Sequence, residues 1–177
     1  MYSNTGGQSS KSSRTGSIAK FTAAGKEGKK KDLAQIAMSY GHVYVATISH
    51  GANPAQMVKA LKEAESYPGP SIVIAYAPCI EQHIKKGMSL TQAEAKLAVE
   101  CGYFPLFRFD PRLKAEGKNP FQLDSKTPNW ERYNEFLMNE TRYASLAQIN
   151  PENAQSLLEA NVEHAKERFA SYEKMAQ

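Results

Sequence analysis

The chain is poor in cysteine and histidine and has no long apolar run. Its 177 residues include two cysteines, Cys79 and Cys101, and neither belongs to a CxxC pair. So sparse a supply argues against a disulfide framework, and no Cys/His spacing builds a self-contained zinc site. The four histidines, His42, His50, His83 and His164, are scattered, as surface or satisfied core residues are. No stretch approaches the ~18 apolar residues of a membrane span. No charged-then-apolar leader opens the sequence. The expected compartment is the cytoplasm, with no membrane partner. Charge of one sign is concentrated in one place only. Lys and Arg number 22 against 18 Asp and Glu, and the basic residues bunch at KEGKKK, Lys26 to Lys31. A nucleic-acid binder needs a broader basic face interleaved with aromatics. No nucleic-acid partner is expected, and a solvated lysine loop before a helix is the simpler reading.

The chain does contain the material of a core. Hydrophobic residues make up 41% of it and aromatics 10%, enough for one folded domain rather than a disordered chain. In KKDLAQIAMSYG, residues Leu33, Ile36, Ala37 and Tyr40 recur at helical spacing, and Gly41 is a natural stop. HVYVATISHG is short, β-branched and apolar, which predicts a buried strand. Asn53 and Pro54 then supply a cap and a first-turn proline for AQMVKALKEAESYPG. SIVIAYAPC predicts a second strand. SLTQAEAKLAVECGY predicts a helix opened by a Ser89…Gln92 capping box and closed at Gly102. PLFRFDPR predicts a third strand.

Strands and helices that alternate in short units, with unbroken apolar strands, predict an α/β fold with a mostly parallel sheet between flanking helices. The polar, proline-punctuated KAEGKNPFQLDSKTPN reads as an extended arm. WERYNEFLMNETRYASLAQ reads as one helix. A last helix opens at Asn150-Pro151 and carries Leu158, Val162, Ala165, Phe169 and Tyr172 on one stripe. The expected division is an α/β domain over 1–112, an interface arm over 113–128 and C-terminal helices over 129–177.

In such sheets ligands collect beyond the C-terminal strand ends. Ser49-His50-Gly51 and Pro78-Cys79 fall there. So do Asp110, Pro111 and Arg112, either as site residues or as a pair that pins a turn. The opening stretch MYSNTGGQSSKSSRTG admits two readings. One is a flexible terminus. The other is a loop whose paired glycines, Gly6 and Gly7, let the backbone approach a polar ligand, with Asn4 both donating and accepting.

YSNTGGQSS resembles the thiamine-diphosphate signature of the pyruvate:ferredoxin (flavodoxin) oxidoreductases. TGSIAKFTAAGK, KKDLAQIAMSYGHVYVATIS, VKALKEAESYPGPSIVIAYAPCI, GYFPLFRFDPR and GKNPFQLDSK resemble the same family, in order. The resemblance implies a partial thiamine-diphosphate-binding fold. It implies that Tyr2, Ser3, Asn4, Thr5, Gly6 and Gly7 wall the cofactor, with Asn4 beside its ring and the substrate. The residue at Met1's position lends magnesium a backbone carbonyl in that family. Cys79 matches a lone distant cysteine that completes the [4Fe–4S] cluster nearest the thiamine, the other three ligands coming from a ferredoxin-like segment. Cys101 matches no ligand and is expected in the core. Lys118 to Lys126 would be interface in a homodimeric parent.

The family's magnesium- and diphosphate-binding GDG occurs nowhere here. The chain is therefore expected to be part of a larger enzyme and inactive alone. That enzyme would convert pyruvate and coenzyme A to acetyl-CoA and carbon dioxide, passing electrons through iron–sulfur clusters to ferredoxin or flavodoxin. A stand-alone α/β binding module without catalysis is the alternative.

Overall fold

The computed structural model describes all 177 residues. Helix α1 (Leu33–Ser39) is capped by Asp32, whose side chain accepts from the Gln35 amide, and it leads into strand β1 (Tyr44–Ile48). Every residue of β1 is buried, as its β-branched and aromatic run requires. The Asn53 side chain accepts from the Gln56 amide at 3.0 Å, and Pro54 occupies the first turn of α2 (Pro54–Ser66). Through Ala60, Met57 and Ala64, α2 packs on Tyr44, Ala46 and Ile48. It delivers the chain to β2 (Ser71–Ala75), which pairs with β1 in parallel.

Beyond this unit the strand directions depart from the expected mostly parallel sheet. The strand order is β2-β1-β3-β4. Strand β3 (Phe107–Phe109) runs antiparallel to β1, and β4 (Phe121–Leu123) antiparallel to β3. The reason lies in helix α3 (Thr91–Glu100). A parallel connection needs a crossover helix laid on the sheet. Instead, Leu97 and Ala98 of α3 pack with Tyr133, Phe136 and Leu137, a cluster separate from the sheet's own core. The chain thus re-enters the sheet at the end where β2 left it, setting Phe107 opposite Thr47. The α/β class, flanking helices and helical C-terminus stand.

Two local expectations also change. Leu90, not Ser89, takes the N-cap position of α3, with no side-chain cap bond, because Met88–Leu90 closes a 3₁₀ turn first. After the short α4 (Arg112–Ala115), the stretch expected as one helix from Trp130 is a 3₁₀ turn and three helices. These are α5 (Tyr133–Asn139), α6 (Thr141–Ala144) and α7 (Leu146–Ile149). The break falls at Glu140, whose extended backbone bridges to Ile84.

Helix α8 (Pro151–Met175) joins the two cores. Leu158, Val162 and Ala165 enter the α3–α5 cluster, while the Tyr172 ring lies 4.7 Å from Phe107 and 5.7 Å from Phe121. Under the sheet, the buried Arg108 guanidinium is held between two carboxylates. It donates to Glu63 at 2.8 and 2.9 Å and to Asp124 at 2.9 and 2.8 Å. Tyr44 and Gln56 add hydrogen bonds to the same carboxylates, each at 2.9 Å.

Candidate functional site

Residues 1–7 form a defined turn. Ser3–Thr5 close a single 3₁₀ turn, and Gly6 and Gly7 follow at φ +101° and +77°, conformations that a side chain disfavours. The Tyr2 amide donates to the Gln8 carbonyl at 3.0 Å, and the Gly7 amide to the Tyr2 carbonyl at 2.9 Å. Gln8 clamps the turn from its other side, accepting from the Thr5 hydroxyl at 2.7 Å and donating to the Thr5 carbonyl at 2.6 Å. Within this frame the exposed Asn4 side chain makes no hydrogen bond. Its carboxamide is free to donate and accept.

The flanking loop is fastened by one lysine. Lys26 Nζ donates to the carbonyls of Ser13, Ser10 and Lys11 at 2.6, 3.1 and 3.3 Å. The Ser9 amide donates to the Lys20 carbonyl at 2.9 Å, and the Lys20 amide to the Gly7 carbonyl at 3.2 Å. These bonds account for much of the polar backbone in the serine-rich stretch.

The fold brings the opening turn against the turn that carries Cys79. Gly7 is buried, and a Cβ placed on it would lie 2.7 Å from Gln82 Nε2 and 2.8 Å from Glu81 Cγ. The Met1 amino group sits below its ordinary pKa because of partial burial and the Arg142 guanidinium, while nearby Cys79 acts in the opposite direction. The Cys79 turn is braced on its far side by α5 and α6. The Lys85 amide donates to the Asn139 carbonyl at 2.7 Å, and the Thr141 amide to the His83 carbonyl at 3.3 Å. The buried Glu140 pairs with Arg142 there. Cys79 itself is 8% exposed. Lys20, Glu81 and Gln82 were not singled out in the sequence, and Lys26 stood out only as one end of the basic cluster. Lysines in a polar loop and a Glu-Gln pair after a strand carry no distinctive spacing.

The remaining candidates lie elsewhere. Ser49 is fully buried, with an unpartnered Oγ. His50 Nδ1 lies 3.2 Å from Gln92 Oε1, and Gly51 is pressed against Gln92, so this turn packs on α3. Asp110 and Arg112 form a two-pronged ion pair at 2.7 to 3.1 Å, and Arg112 also donates to Ser66. The arm's Lys118 pairs with Glu116 in solvent. Cys101 is wholly buried with Tyr103 and Phe136. Burial pushes its thiol up to about 12.

No group of three or more His, Cys, Asp and Glu is arranged to hold a metal ion. The two cysteines occupy different surroundings, and a [4Fe–4S] cluster takes four thiolates. The donor set of this chain alone does not fit such a cluster. The free Asn4 carboxamide and the fixed glycine turn do fit one wall of a polar cofactor site.

Residues 1–75 match the family model for the C-terminal TPP-binding domain of thiamine pyrophosphate enzymes. All 177 residues align at 54% identity with the pyruvate:ferredoxin oxidoreductase of Moorella thermoacetica, spanning 15% of its length. Over 99% of the chain, identity is 53% with the pyruvate-flavodoxin oxidoreductase of Klebsiella pneumoniae, again across 15% of that protein. It is 52% with the mitochondrial pyruvate dehydrogenase [NADP(+)] of Euglena gracilis, across 10%. Over its whole length the chain is similar to one segment of the pyruvate:ferredoxin and pyruvate-flavodoxin oxidoreductases. It spans only a small part of the curated relatives it matches, and no helix in it is long and apolar enough to cross a membrane.

Proposed function

We propose that this segment supplies one wall of a split thiamine diphosphate site in a pyruvate:ferredoxin or pyruvate-flavodoxin oxidoreductase. Its parent converts pyruvate and coenzyme A to acetyl-CoA and carbon dioxide and passes electrons to ferredoxin or flavodoxin. Thiamine diphosphate, when bound, supplies the carbanion chemistry that releases carbon dioxide. The chain's own residues orient and enclose. The Met1 carbonyl would hold magnesium, Tyr2, Ser3, Thr5, Gly6 and Gly7 would line the cofactor, and Asn4 would meet the cofactor ring and substrate. Cys79 contributes one thiolate of a [4Fe–4S] cluster whose other three come from outside these residues. The parent is a cytoplasmic homodimer.

The observation that carries this reading is the fixed turn that leaves Asn4 unpartnered and abuts the Cys79 turn, in a segment 54% identical to an established relative. Two measurements test it. Titrated calorimetrically with thiamine diphosphate and magnesium, the 177-residue chain is expected to bind it no more tightly than inorganic pyrophosphate and magnesium. Binding at least about tenfold tighter than pyrophosphate would contradict a split site. Grafted in place of the matching segment of the Moorella enzyme, the chain is expected to support pyruvate oxidation. Asn4→Ala in that graft should lower turnover at least tenfold, and Cys79→Ser should remove one cluster's signal in electron paramagnetic resonance. Retention of both properties in the variants would refute the assignments.

A further inference from the structure

A second polar site lies between residues 14–35 and helix α8. It is a cavity of about 280 Å³ with no apolar side chain in its wall. Four cationic side chains, Arg14, Lys29, Lys30 and Arg168, face two carboxylates, Asp32 and Glu167. Both carboxylates are already engaged. Glu167 accepts from Lys29 at 2.6 Å. Asp32 accepts from the Tyr172 hydroxyl at 2.6 Å and from the Gln35 amide at 3.1 Å.

Arg14, Lys30 and Arg168 form no ion pair at all. Arg14, buried over the Tyr103 ring, donates one N–H to the Tyr103 carbonyl. Arg168 donates to that same carbonyl at 3.0 Å and more distantly to Gly102. Each guanidinium carries five N–H groups, so most of theirs are unused. Lys30 meets only the adjacent Lys31 carbonyl, at 2.9 Å. His164 borders the cavity, its Nδ1 3.1 Å from the Thr15 hydroxyl.

Burying several cations without a counter-charge is unfavourable. Lys30 responds accordingly, pushed down to about 8 by burial and by Arg14. Arg168 is pushed down to about 10 by the same two influences. What this arrangement lacks is an anion. Two convergent guanidiniums suit a multiply charged oxyanion that can accept several N–H bonds at once. A singly charged carboxylate would leave a surplus of positive charge in the cavity.

We infer that this cavity binds an oxyanion of the phosphate class, the phosphate or diphosphate of a small metabolite, held by Arg14, Lys30 and Arg168. Nothing in the inference depends on the turn at residues 1–7. The bound group would also join α8 to the segment before α1, two regions far apart in sequence.

The test is calorimetric titration of the 177-residue chain with inorganic pyrophosphate and inorganic phosphate, at neutral pH and constant ionic strength. Single-site binding of pyrophosphate is expected with Kd below about 1 mM. Lys30→Gln and Arg168→Gln should each weaken it at least tenfold. Lys59→Gln, on the exposed face of α2, should leave it unchanged. Circular dichroism of each variant separates lost binding from lost folding, and Lys30→Gln, at a half-buried position with no ion pair to lose, is the variant expected to stay folded. Three results would overturn the inference: no saturable heat by 10-fold that concentration in the folded chain, equal weakening by Lys59→Gln, or malonate binding where neither phosphate nor pyrophosphate binds.

Discussion

Replacing Gly7 with alanine probes the contact on which the candidate site depends. Gly7 sits at φ +77°, where a Cβ meets the following carbonyl, at a penalty of roughly 1–2 kcal/mol. The new methyl would lie within 2.8 Å of both Gln82 and Glu81, but both contacts are with side-chain atoms that can swing aside. The backbone penalty therefore dominates. For a chain of this size, about 1–2 kcal/mol lowers the melting temperature by about 2–8 °C. If that strain is relieved when the opening turn lifts from the Cys79 turn, the open population rises by a factor of about 5–30. Cys79 is shielded in the closed state, so its labelling by a thiol reagent should accelerate by the same factor when reclosure outpaces labelling. Mass spectrometry separates Cys79 from Cys101, whose full burial inside the α3–α5 cluster should keep it far slower in both proteins. Unchanged Cys79 labelling, in a variant whose melting temperature has fallen as expected, would refute the coupling of the two turns.

Arg108→Met would strand Glu63 and Asp124 beneath the sheet, where side-chain exposures of 23% and 15% offer little rehydration. A loss of about 3–5 kcal/mol is expected, a fall of about 6–20 °C in thermal denaturation for this chain length. A fall under about 2 °C would contradict the buried network. Glu94 is raised to about 7, chiefly by burial and then by Glu140, with one oxygen bound by Asn139 and the other unpartnered. An acid whose folded pKa exceeds its unfolded value of 4.5 favours the fold most below pH 4.5, and that contribution is lost as pH rises through 7. Glu94→Gln should therefore melt higher than the parent chain at pH 8 and lose the advantage near pH 4. A melting-temperature difference independent of pH would count against this account.

The first helix, the first two strands, α2 and the last helix were legible because their signals are local. Asn53-Pro54 caps its own helix, and the unbroken run at Tyr44–Ile48 needs burial on both faces whatever surrounds it. Strand direction after β2 was not legible. It depends on where α3 finds its apolar partners, and those are Tyr133, Phe136 and Leu137, more than thirty residues later. The division of the long helical stretch at Glu140 was hidden for the same reason, since a distant backbone pairing with Ile84 selects it. The opening turn could be suspected from its glycines. Its support from Gln8, Lys20 and Lys26 could not, because those residues act through main-chain carbonyls that any sequence provides.

Lys26 gathers three carbonyl oxygens much as a dehydrated alkali cation would, and it does so from outside the turn it organises. Acylation of that nitrogen would erase its charge and two of its protons together. The serine-rich loop would then lose its centre, although none of the loop's own residues had been touched.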